Sequence, residues 1–96
     1  MSDTESSPAS VRLDVWLWRA RFFKTRALSA KACESGHIRL TRFGQTARVE
    51  KASQTVKPGD RLVFALQARL IDAEVLDIGE RRGPAPEAQG LYRLNA

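Results

Sequence analysis

The sequence predicts an α+β fold: two packed N-terminal helices, then a small and mainly antiparallel sheet of about four to five strands, then a short C-terminal helical turn. The first supporting observation is length, since 96 residues make one small domain. The second is periodicity, because apolar residues recur at helical spacing up to residue 36 and at strand spacing from residue 37 onward. The third is the absence from the sequence of internal repeats and long linkers.

The first predicted helix covers residues 13–23. Its apolar residues fall on one stripe with helical spacing, namely Leu13, Trp16, Leu17 and Ala20. Asp14 is expected to cap the N-terminus, where its charge also suits the helix dipole. Trp18 lies off the stripe, which leaves two alternatives: an exposed stacking platform, or a ring covered by a later segment.

The second predicted helix covers residues 25–35, because Thr25 is a favourable N-cap and Gly36 a favourable residue just beyond the C-terminus. One face is expected to be buried and consists of small and apolar residues, namely Leu28, Ser29, Ala32 and Cys33. Because the link at residues 22–24 is short, the two helices are expected to pack as a hairpin or corner.

The predicted sheet begins where Ile38 and Leu40 alternate with polar neighbours. A turn is expected at residues 43–45 and a returning strand at 46–50, before a strong turn signal at 57–60. Later elements are expected as follows: strands at 61–66 and 70–78, the end of the sheet at 81–84, and a short helical turn at 84–91.

Composition divides the chain into three parts. Residues 1–10 are rich in Ser, Pro and acidic residues and are expected to form a disordered tail. Residues 11–82 are expected to form the folded domain, and residues 83–96 a short C-terminal segment packed on it.

Basic residues are concentrated in one stretch of the chain. The chain holds 16 Lys and Arg against 11 Asp and Glu, a net charge of +5. Residues 11–48 contain nine of the basic residues but only two acidic ones, while residues 49–96 hold seven of each sign. Arg outnumbers Lys by 12 to 4, and guanidinium groups bind phosphate in bidentate fashion and stack on bases. This excess favours a nucleic-acid partner.

Catalytic and metal-binding sites find little support in the sequence. The chain has one cysteine, Cys33, and one histidine, His37, whereas a structural zinc site needs about four such ligands. Cys33 lies on an apolar helix face and is expected to be a buried packing residue. We therefore expect no enzyme activity, no metal, no cofactor and no small-molecule substrate. Since the sequence has neither an apolar run of about 20 residues nor a signal-peptide pattern, the expected location is cytoplasmic, without membrane contact.

A phosphate-binding point is predicted at the start of the second helix, at Lys24, Thr25 and Arg26. Free backbone N–H groups and the helix dipole attract anions to such an end, and the basic side chains add charge there. The next strand is expected to bring Arg39 and Arg42 close to the same end. The alternative for any one of these residues is a solvated charged surface without a ligand.

Several short motifs occur in a defined order. They are Arg12-Leu13-Asp14 followed by Leu17, Thr25-Arg26 at the head of a helix, Gly36 followed by Ile38, and Gly59-Asp60. This order resembles the RNA-binding domain of the ribosomal small-subunit protein four type, the S4 domain. The resemblance implies that residues 11–82 form an alpha-L-type RNA-binding motif, whose two helices and following strand bind structured RNA.

A second set of motifs surrounds that pattern. They are Trp16-Leu17-Trp18, Ala20-Arg21-Phe22, Lys24-Thr25-Arg26-Ala27-Leu28, Arg81-Arg82 before Glu87-Ala88, and Leu91-Tyr92. Together they are similar to the bacterial heat-shock protein fifteen family. That similarity implies an RNA-binding protein on large ribosomal subunits that hold stalled nascent-chain tRNA, active in their rescue or recycling. It also implies RNA-facing positions at Arg12, Thr25, Arg26 and Arg39.

Both arguments together give the predicted RNA-binding residues: Arg12, Arg19, Lys24, Thr25, Arg26, Lys31, His37, Arg39 and Arg42. The chain departs from the family at residues 41–44, where an Asn-Gly turn is usual, so the register of Arg42 and Arg48 stays open. The expected partner is structured ribosomal RNA of the large subunit, with tRNA as a second candidate, bound by a monomer. Two alternatives remain: an accessory RNA-binding domain of an RNA-modifying or tRNA-charging enzyme, and a general nucleic-acid-binding module.

Overall fold

The computed structural model describes residues 10–95, and over this range the chain forms three helices and two antiparallel sheets. The elements follow one another in this order: β1 (Val11–Arg12), α1 (Leu13–Arg19), α2 (Arg26–Glu34), β2 (Arg39–Arg42), β3 (Gln45–Arg48), β4 (Thr55–Val56), β5 (Arg61–Leu66), β6 (Arg69–Val75), α3 (Ala85–Gln89) and β7 (Tyr92–Leu94). The predicted α+β class is confirmed. Apart from Ser10, the predicted disordered tail at residues 1–10 lies outside the described residues.

The first helix is shorter than the predicted range of residues 13–23. α1 ends at Arg19, and Arg21 takes a left-handed backbone conformation with φ 66°, which turns the chain before Phe22. The Phe22 ring then packs between helix and sheet, with its centroid 4.6 Å from that of Tyr92 and 5.4 Å from that of Phe64. Phe22 is apolar because it belongs to the core, although it lies beyond the end of the helix. The apolar pattern therefore predicted a helix that is longer than α1.

Asp14 does not cap α1 as predicted. The N-cap position is Arg12, whose side chain makes no capping hydrogen bond, and Asp14 lies in the first turn. The buried Asp14 carboxylate accepts a hydrogen bond from the Val15 backbone N–H at 2.9 Å and pairs with Arg12. Its negative charge therefore still lies at the positive end of the helix dipole.

α2 has the terminal signals that the sequence predicts. Thr25 Oγ1 accepts a hydrogen bond from the Leu28 N–H at 3.1 Å, and Gly36 follows the helix with φ 82°. Ser29 is buried against α1, where its Oγ donates to the Asp14 carbonyl at 2.7 Å. Leu28 is an exception to the predicted buried face, because its side chain is 50% exposed.

The larger sheet has the strand order β3-β2-β5-β6-β7, and all its neighbouring strands are antiparallel. Arg39 pairs with Arg48, and Arg42 with Gln45, so Phe43 and the glycine after it form a two-residue turn between β2 and β3. This settles the register that the sequence left open. β3 covers Gln45–Arg48, so it begins one residue earlier and ends two residues earlier than the predicted strand at 46–50.

A second, two-stranded sheet was not predicted. It consists of β1 and β4, in which Val11 pairs with Val56 and Arg12 with Thr55. Since β1 precedes α1, the predicted order of helices before sheet holds only in part. Strands of two residues are too short to show an alternating pattern, so no periodicity in the sequence indicates them.

The C-terminal part of the larger sheet also differs from the prediction. β6 ends at Val75 rather than at residue 78, because the Leu76 and Asp77 N–H groups both donate to the Leu91 carbonyl, at 2.9 and 3.2 Å. The predicted helical turn is present as α3. The chain then returns to the sheet as β7, so the predicted end of the sheet at residues 81–84 is wrong.

The hydrophobic core lies where the helices meet the larger sheet, and its fully buried side chains include Trp16, Leu17 and Leu62. Trp16 Nε1 donates to the Asp77 carbonyl at 2.8 Å, so the buried indole has a partner. The neighbouring Trp18 is partly covered by Arg82, whose guanidinium carbon lies 5.9 Å from the ring centroid. This favours the covered-ring alternative for Trp18. No helix within residues 10–95 is long and apolar enough to cross a membrane.

Candidate nucleic-acid interface

The basic side chains of residues 11–48 fall into two groups that the sequence does not distinguish. One group makes hydrogen bonds within the fold and consists of Arg12, Arg19, Arg21, Arg42 and Arg48. The other group is exposed and has no hydrogen-bond or ion-pair partner among residues 10–95, and it consists of Lys24, Arg26, Lys31 and Arg39. The second group keeps its full hydrogen-bonding capacity for a ligand.

Arg42 belongs to the fold rather than to an open surface. Its Nε and Nη2 donate to the two carboxylate oxygens of Asp60 at 2.9 and 2.7 Å, and Asp60 is only 1% exposed. These hydrogen bonds raise the pKa of Arg42 above its ordinary value. Side chains alternate along a strand, so Arg42 lies on the core-facing side of β2 with Leu40, while Arg39 lies on the opposite side. The two arginines that β2 was predicted to bring to one end of α2 thus lie on opposite sides of the strand, and RNA binding by Arg42 stays a prediction.

Arg19 is likewise occupied within the fold. Its Nη1 donates to the carbonyls of Gly79 at 2.9 Å and Ile78 at 3.3 Å, which links the end of α1 to the segment after β6. Arg21 makes a similar link, from its Nε to the Gly83 carbonyl at 2.6 Å. Both partners lie far along the chain, so the sequence offered no local signal for them. Arg19 is thereby separated from the exposed cations around α2.

Arg12 combines a fixed position with an exposed surface. Its Nε and Nη2 donate to the Asp14 carboxylate at 3.1 and 3.0 Å, while half of the Arg12 side chain stays exposed. Asp14 is buried and itself held by α1, so the guanidinium group is oriented before any ligand arrives. Arg12 Nη1 has no partner among residues 10–95 and remains available as a donor.

The N-terminal end of α2 presents two of the free cations. Lys24 and Arg26 are exposed on either side of the N-cap Thr25. Thr25 Oγ1 is engaged with the first turn of the helix, so its role here is to fix where the helix begins. The neighbouring Leu28 is also exposed, which gives this end of the surface an apolar component.

The C-terminal end of α2 presents a second set of basic residues. Lys31 lies in the last turn, and Arg39 and Arg48 lie side by side across β2 and β3. The Arg48 Cδ lies 3.6 Å from where a Cβ would stand on Gly36, which places the arginine pair against the end of the helix. The exposed His37 joins the helix end to β2. Arg48 was not among the predicted residues, because its position depends on the hairpin register.

The two sets lie at opposite ends of one helix. α2 has nine residues, which at about 1.5 Å each separates its ends by about 13 Å. The predicted convergence of Arg39 on the N-terminal end of α2 is therefore wrong; Arg39 lies at the C-terminal end. We call the exposed side chains around α2 the basic surface, and its members are Arg12, Lys24, Arg26, Lys31, His37, Arg39 and Arg48.

Within residues 10–95, neither a reactive thiol nor a group of metal ligands accompanies this surface. Cys33 is fully buried, and that burial raises the pKa of its thiol from 9.0 to about 12, so the reactive thiolate is scarce near neutral pH. No group of three or more potential metal ligands occurs among residues 10–95. What the surface offers is a set of hydrogen-bond donors with positive charge, which suits phosphate groups.

Comparison with known proteins indicates a class of protein that binds nucleic acid, in agreement with the basic surface. Residues 11–40, which run from β1 through α2 into β2, match the family model of the S4 domain. The fold and the basic surface together thus define an S4-domain protein.

Similar proteins narrow the family. The heat shock protein 15 homolog of Haemophilus influenzae is 37% identical over 83 residues, which cover 86% of this chain and 60% of that protein. Heat shock protein 15 of Escherichia coli K12 is 37% identical over 98 residues, which cover 96% of this chain and 65% of that protein. The chain therefore spans 60–65% of the length of these two relatives.

Two further matches cover most of both chains. The RQC P-site tRNA stabilizing factor of Halalkalibacterium halodurans is 34% identical over 84 residues, which cover 88% of this chain and 89% of that protein. The trimeric structure of Vibrio cholerae heat shock protein 15 has a TM-score of 0.78 and 39% identity, and covers 91% of this chain and 83% of that one. The chain belongs to the heat shock protein 15 family. Because the solved relative is described as a trimer, the predicted monomer is not confirmed.

Proposed function

We propose that this protein binds structured RNA of the large ribosomal subunit, in complexes that hold a stalled nascent-chain tRNA. The observation that supports this most directly is the basic surface, whose Lys24, Arg26, Lys31 and Arg39 have no partner among the described residues. A relative named as a P-site tRNA stabilizing factor supports the ribosomal setting, and the heat shock names of the others support a role in rescue during stress. None of these names describes an enzyme, so we infer binding rather than catalysis.

Phosphate groups are the proposed ligands of the basic surface. Lys24 and Arg26 bind phosphates at one end of α2, and Lys31 and Arg39 at the other end, so the contacts follow the length of the helix. Arg12 contributes a donor whose direction is fixed by Asp14. Thr25 and His37 border these contacts as exposed polar neighbours. Arg19 and Arg42 act indirectly, because they hold the scaffold on which the basic surface lies.

The proposed selectivity is for the shape of the RNA rather than for its base sequence. Contacts to phosphates orient a protein on nucleic acid but do not distinguish one base from another. The two sets of cations lie toward opposite ends of a helix about 13 Å long, so they match backbones that present phosphates along that length. Folded RNA offers such fixed spacings, since structured RNA is recognised mostly by shape and by its 2′-hydroxyl and phosphate groups.

The experiment that tests the proposal compares partners at matched salt. Fluorescence anisotropy of the labelled chain is titrated with purified large subunits, small subunits and duplex DNA. The proposal expects the large subunit to bind at least tenfold more tightly than the other two. Equal affinity for all three would instead indicate a general nucleic-acid-binding module. The monomeric state of the bound protein and its cytoplasmic location stay predictions. The mass of the complex with the large subunit measures how many copies of the chain bind.

A further inference from the structure

The tip of the β2–β3 hairpin carries a residue that does not suit its backbone. Phe43 and Gly44 have φ values of 53° and 76°, the left-handed pair that a two-residue turn between antiparallel strands requires. Glycine and asparagine adopt this conformation readily, whereas a bulky side chain without a polar group adopts it at a cost in free energy. The fold therefore loses stability by having Phe43 at this position.

Burial does not compensate for that cost. Phe43 is 89% exposed, more than any other large hydrophobic residue in the described part of the chain. A Cβ on the neighbouring Gly44 would meet no atom within 4 Å, so the tip projects away from the rest of the molecule. Neither the local backbone nor the hydrophobic core thus explains a phenylalanine here, which leaves its contact with Lys57 and a contact outside the molecule as roles for the ring.

Two basic side chains, those of Lys57 and Arg42, lie close to the ring in space or in sequence. The Lys57 Nζ lies 5.5 Å from the Phe43 ring centroid, so one cation already lies over one face of the ring. The strand that leads into this turn, β2, is fixed at its last residue by the bidentate pair of Arg42 with Asp60. An aromatic ring beside a cation on a rigid support is the arrangement with which proteins bind unpaired nucleobases.

We propose that Phe43 stacks on an unpaired base of the bound RNA, with Lys57 beside it to contact the adjoining phosphate. This inference rests on the proposed function, because it requires an RNA ligand on the same side of the molecule. Phe43 follows directly after β2, whose four residues run from Arg39 to Arg42, so the ring lies beyond the strand end opposite to Arg39 and about 10 Å or more from it along the strand. The hairpin tip thereby adds a contact to a single-stranded or looped nucleotide, next to the phosphate contacts around α2.

The test uses Phe43→Asn, which removes the ring and relieves the backbone. Asparagine suits the turn, so this variant is expected to melt at the same temperature as wild type or higher, which separates a binding defect from a folding defect. The RNA probes are a stem-loop and a blunt duplex of equal length. Phe43→Asn is expected to lose about tenfold in affinity for the stem-loop and none for the duplex. Phe43→Trp is expected to retain the affinity, because it retains a stacking surface.

Leu70→Asn is the matched control. Leu70 is 73% exposed beside the other hairpin turn, so the change removes a comparable apolar side chain from a comparable position. It is expected to leave the affinity for both probes unchanged. The inference is overturned if Phe43→Asn binds the stem-loop as wild type does, or if it loses affinity only for whole large subunits, which would indicate a protein contact.

The outcome also distinguishes this inference from the proposed function. If the wild type binds the stem-loop, and Arg26→Glu weakens this binding while Phe43→Asn does not, the proposed function remains supported. The stacking role of Phe43 is then ruled out. Failure of the wild-type chain to bind any structured RNA overturns both.

Discussion

Each arginine of this chain has a role set by the acceptor that its guanidinium group reaches. Arg42 reaches a buried carboxylate, Arg19 reaches two backbone carbonyls, and Arg26 reaches neither. Their charges are identical in the sequence, so composition predicts a basic excess but not which charges remain available. Lys24, Arg26 and Lys31 were predictable because they stand in or beside an amphipathic helix. Arg19 and Arg42 were not, because their partners come from distant segments.

The first prediction separates a structural arginine from a ligand-binding one. Among residues 10–95, Arg42→Ala leaves the buried Asp60 carboxylate with only the Lys57 N–H, at 2.9 Å, as a hydrogen-bond donor. Breaking a buried pair is costly, and because Arg42 is itself 30% exposed we expect a loss of about 2–3 kcal/mol in the free energy of unfolding. Urea denaturation measures this loss.

Arg39→Ala is the matched change on the other side of the same strand. We expect it to alter the free energy of unfolding by less than about 0.5 kcal/mol, since it removes an exposed side chain without a partner among residues 10–95. It should weaken RNA binding instead. Equal losses of stability in the two variants would contradict the division of the arginines.

The second prediction concerns the buried thiol. Burial, with a smaller contribution from Asp14, raises the pKa of Cys33 from 9.0 to about 12, so the folded state keeps the proton while the unfolded state loses it near pH 9. The stability contributed by the neutral thiol is therefore complete below about pH 9 and is lost as pH rises toward 12.

Two measurements check this. Urea midpoints of wild type and Cys33→Ala should converge as pH rises from about 8 to about 10.5. At neutral pH a thiol reagent should label Cys33 only after denaturation. Rapid labelling of the folded chain would show that the thiol is not enclosed as the structure has it.

At the scale of elements, the sequence predicted best those elements whose ends have side-chain signals. α2 has such signals in Thr25 and Gly36, and the structure places it within one residue of its predicted range. β5 was predicted in full because its alternation covers Arg61–Leu66. β1, β4 and β7 have two or three residues each, so their formation depends on partners that only the folded chain supplies.

The third prediction tests the cap that starts α2. Thr25→Ala removes the acceptor of the Leu28 N–H, and we expect it to cost about 1 kcal/mol in the free energy of unfolding. Thr25→Ser keeps a hydroxyl and should retain most of that stability. Thermal melting followed by circular dichroism measures both variants. If the serine variant lost as much stability as the alanine variant, the side-chain cap would not explain the start of the helix.

At the scale of the whole molecule, residues 11–48 and the residues beyond them differ in how far their charged side chains are paired. Beyond residue 48, carboxylates pair with arginines, as in Arg61 with Asp72 across β5 and β6, and Arg81 with Glu87 of α3. The hydrogen bonds from Arg61 lower the pKa of Asp72 to about 2, so this pairing persists well below neutral pH. The positive field therefore arises mainly from residues 11–48. Net charge alone understates that field, because it averages the two parts.

The fourth prediction is the salt dependence of RNA binding. About five phosphate contacts, from Arg12, Lys24, Arg26, Lys31 and Arg39, give a slope of log K against log salt concentration of roughly −3.5 to −4.5. Lys31→Ala should reduce the steepness by slightly less than one unit, while Lys51→Ala, an exposed residue outside the basic surface, should not change it. A wild-type slope steeper than about −7 would mean that Arg19, Arg21 and Arg42, which are bonded within the fold, also bind phosphate.

Charge reversal on the basic surface tests the central claim most directly. Arg26→Glu and Arg69→Glu change the net charge equally, and both replace exposed arginines without partners among residues 10–95. Only Arg26 belongs to the basic surface. Each variant and the wild type are sedimented with purified large ribosomal subunits through a sucrose gradient. We predict that wild type and Arg69→Glu travel with the subunits and that Arg26→Glu stays at the top. Equal co-sedimentation of the two variants would contradict the assignment of RNA binding to the surface around α2.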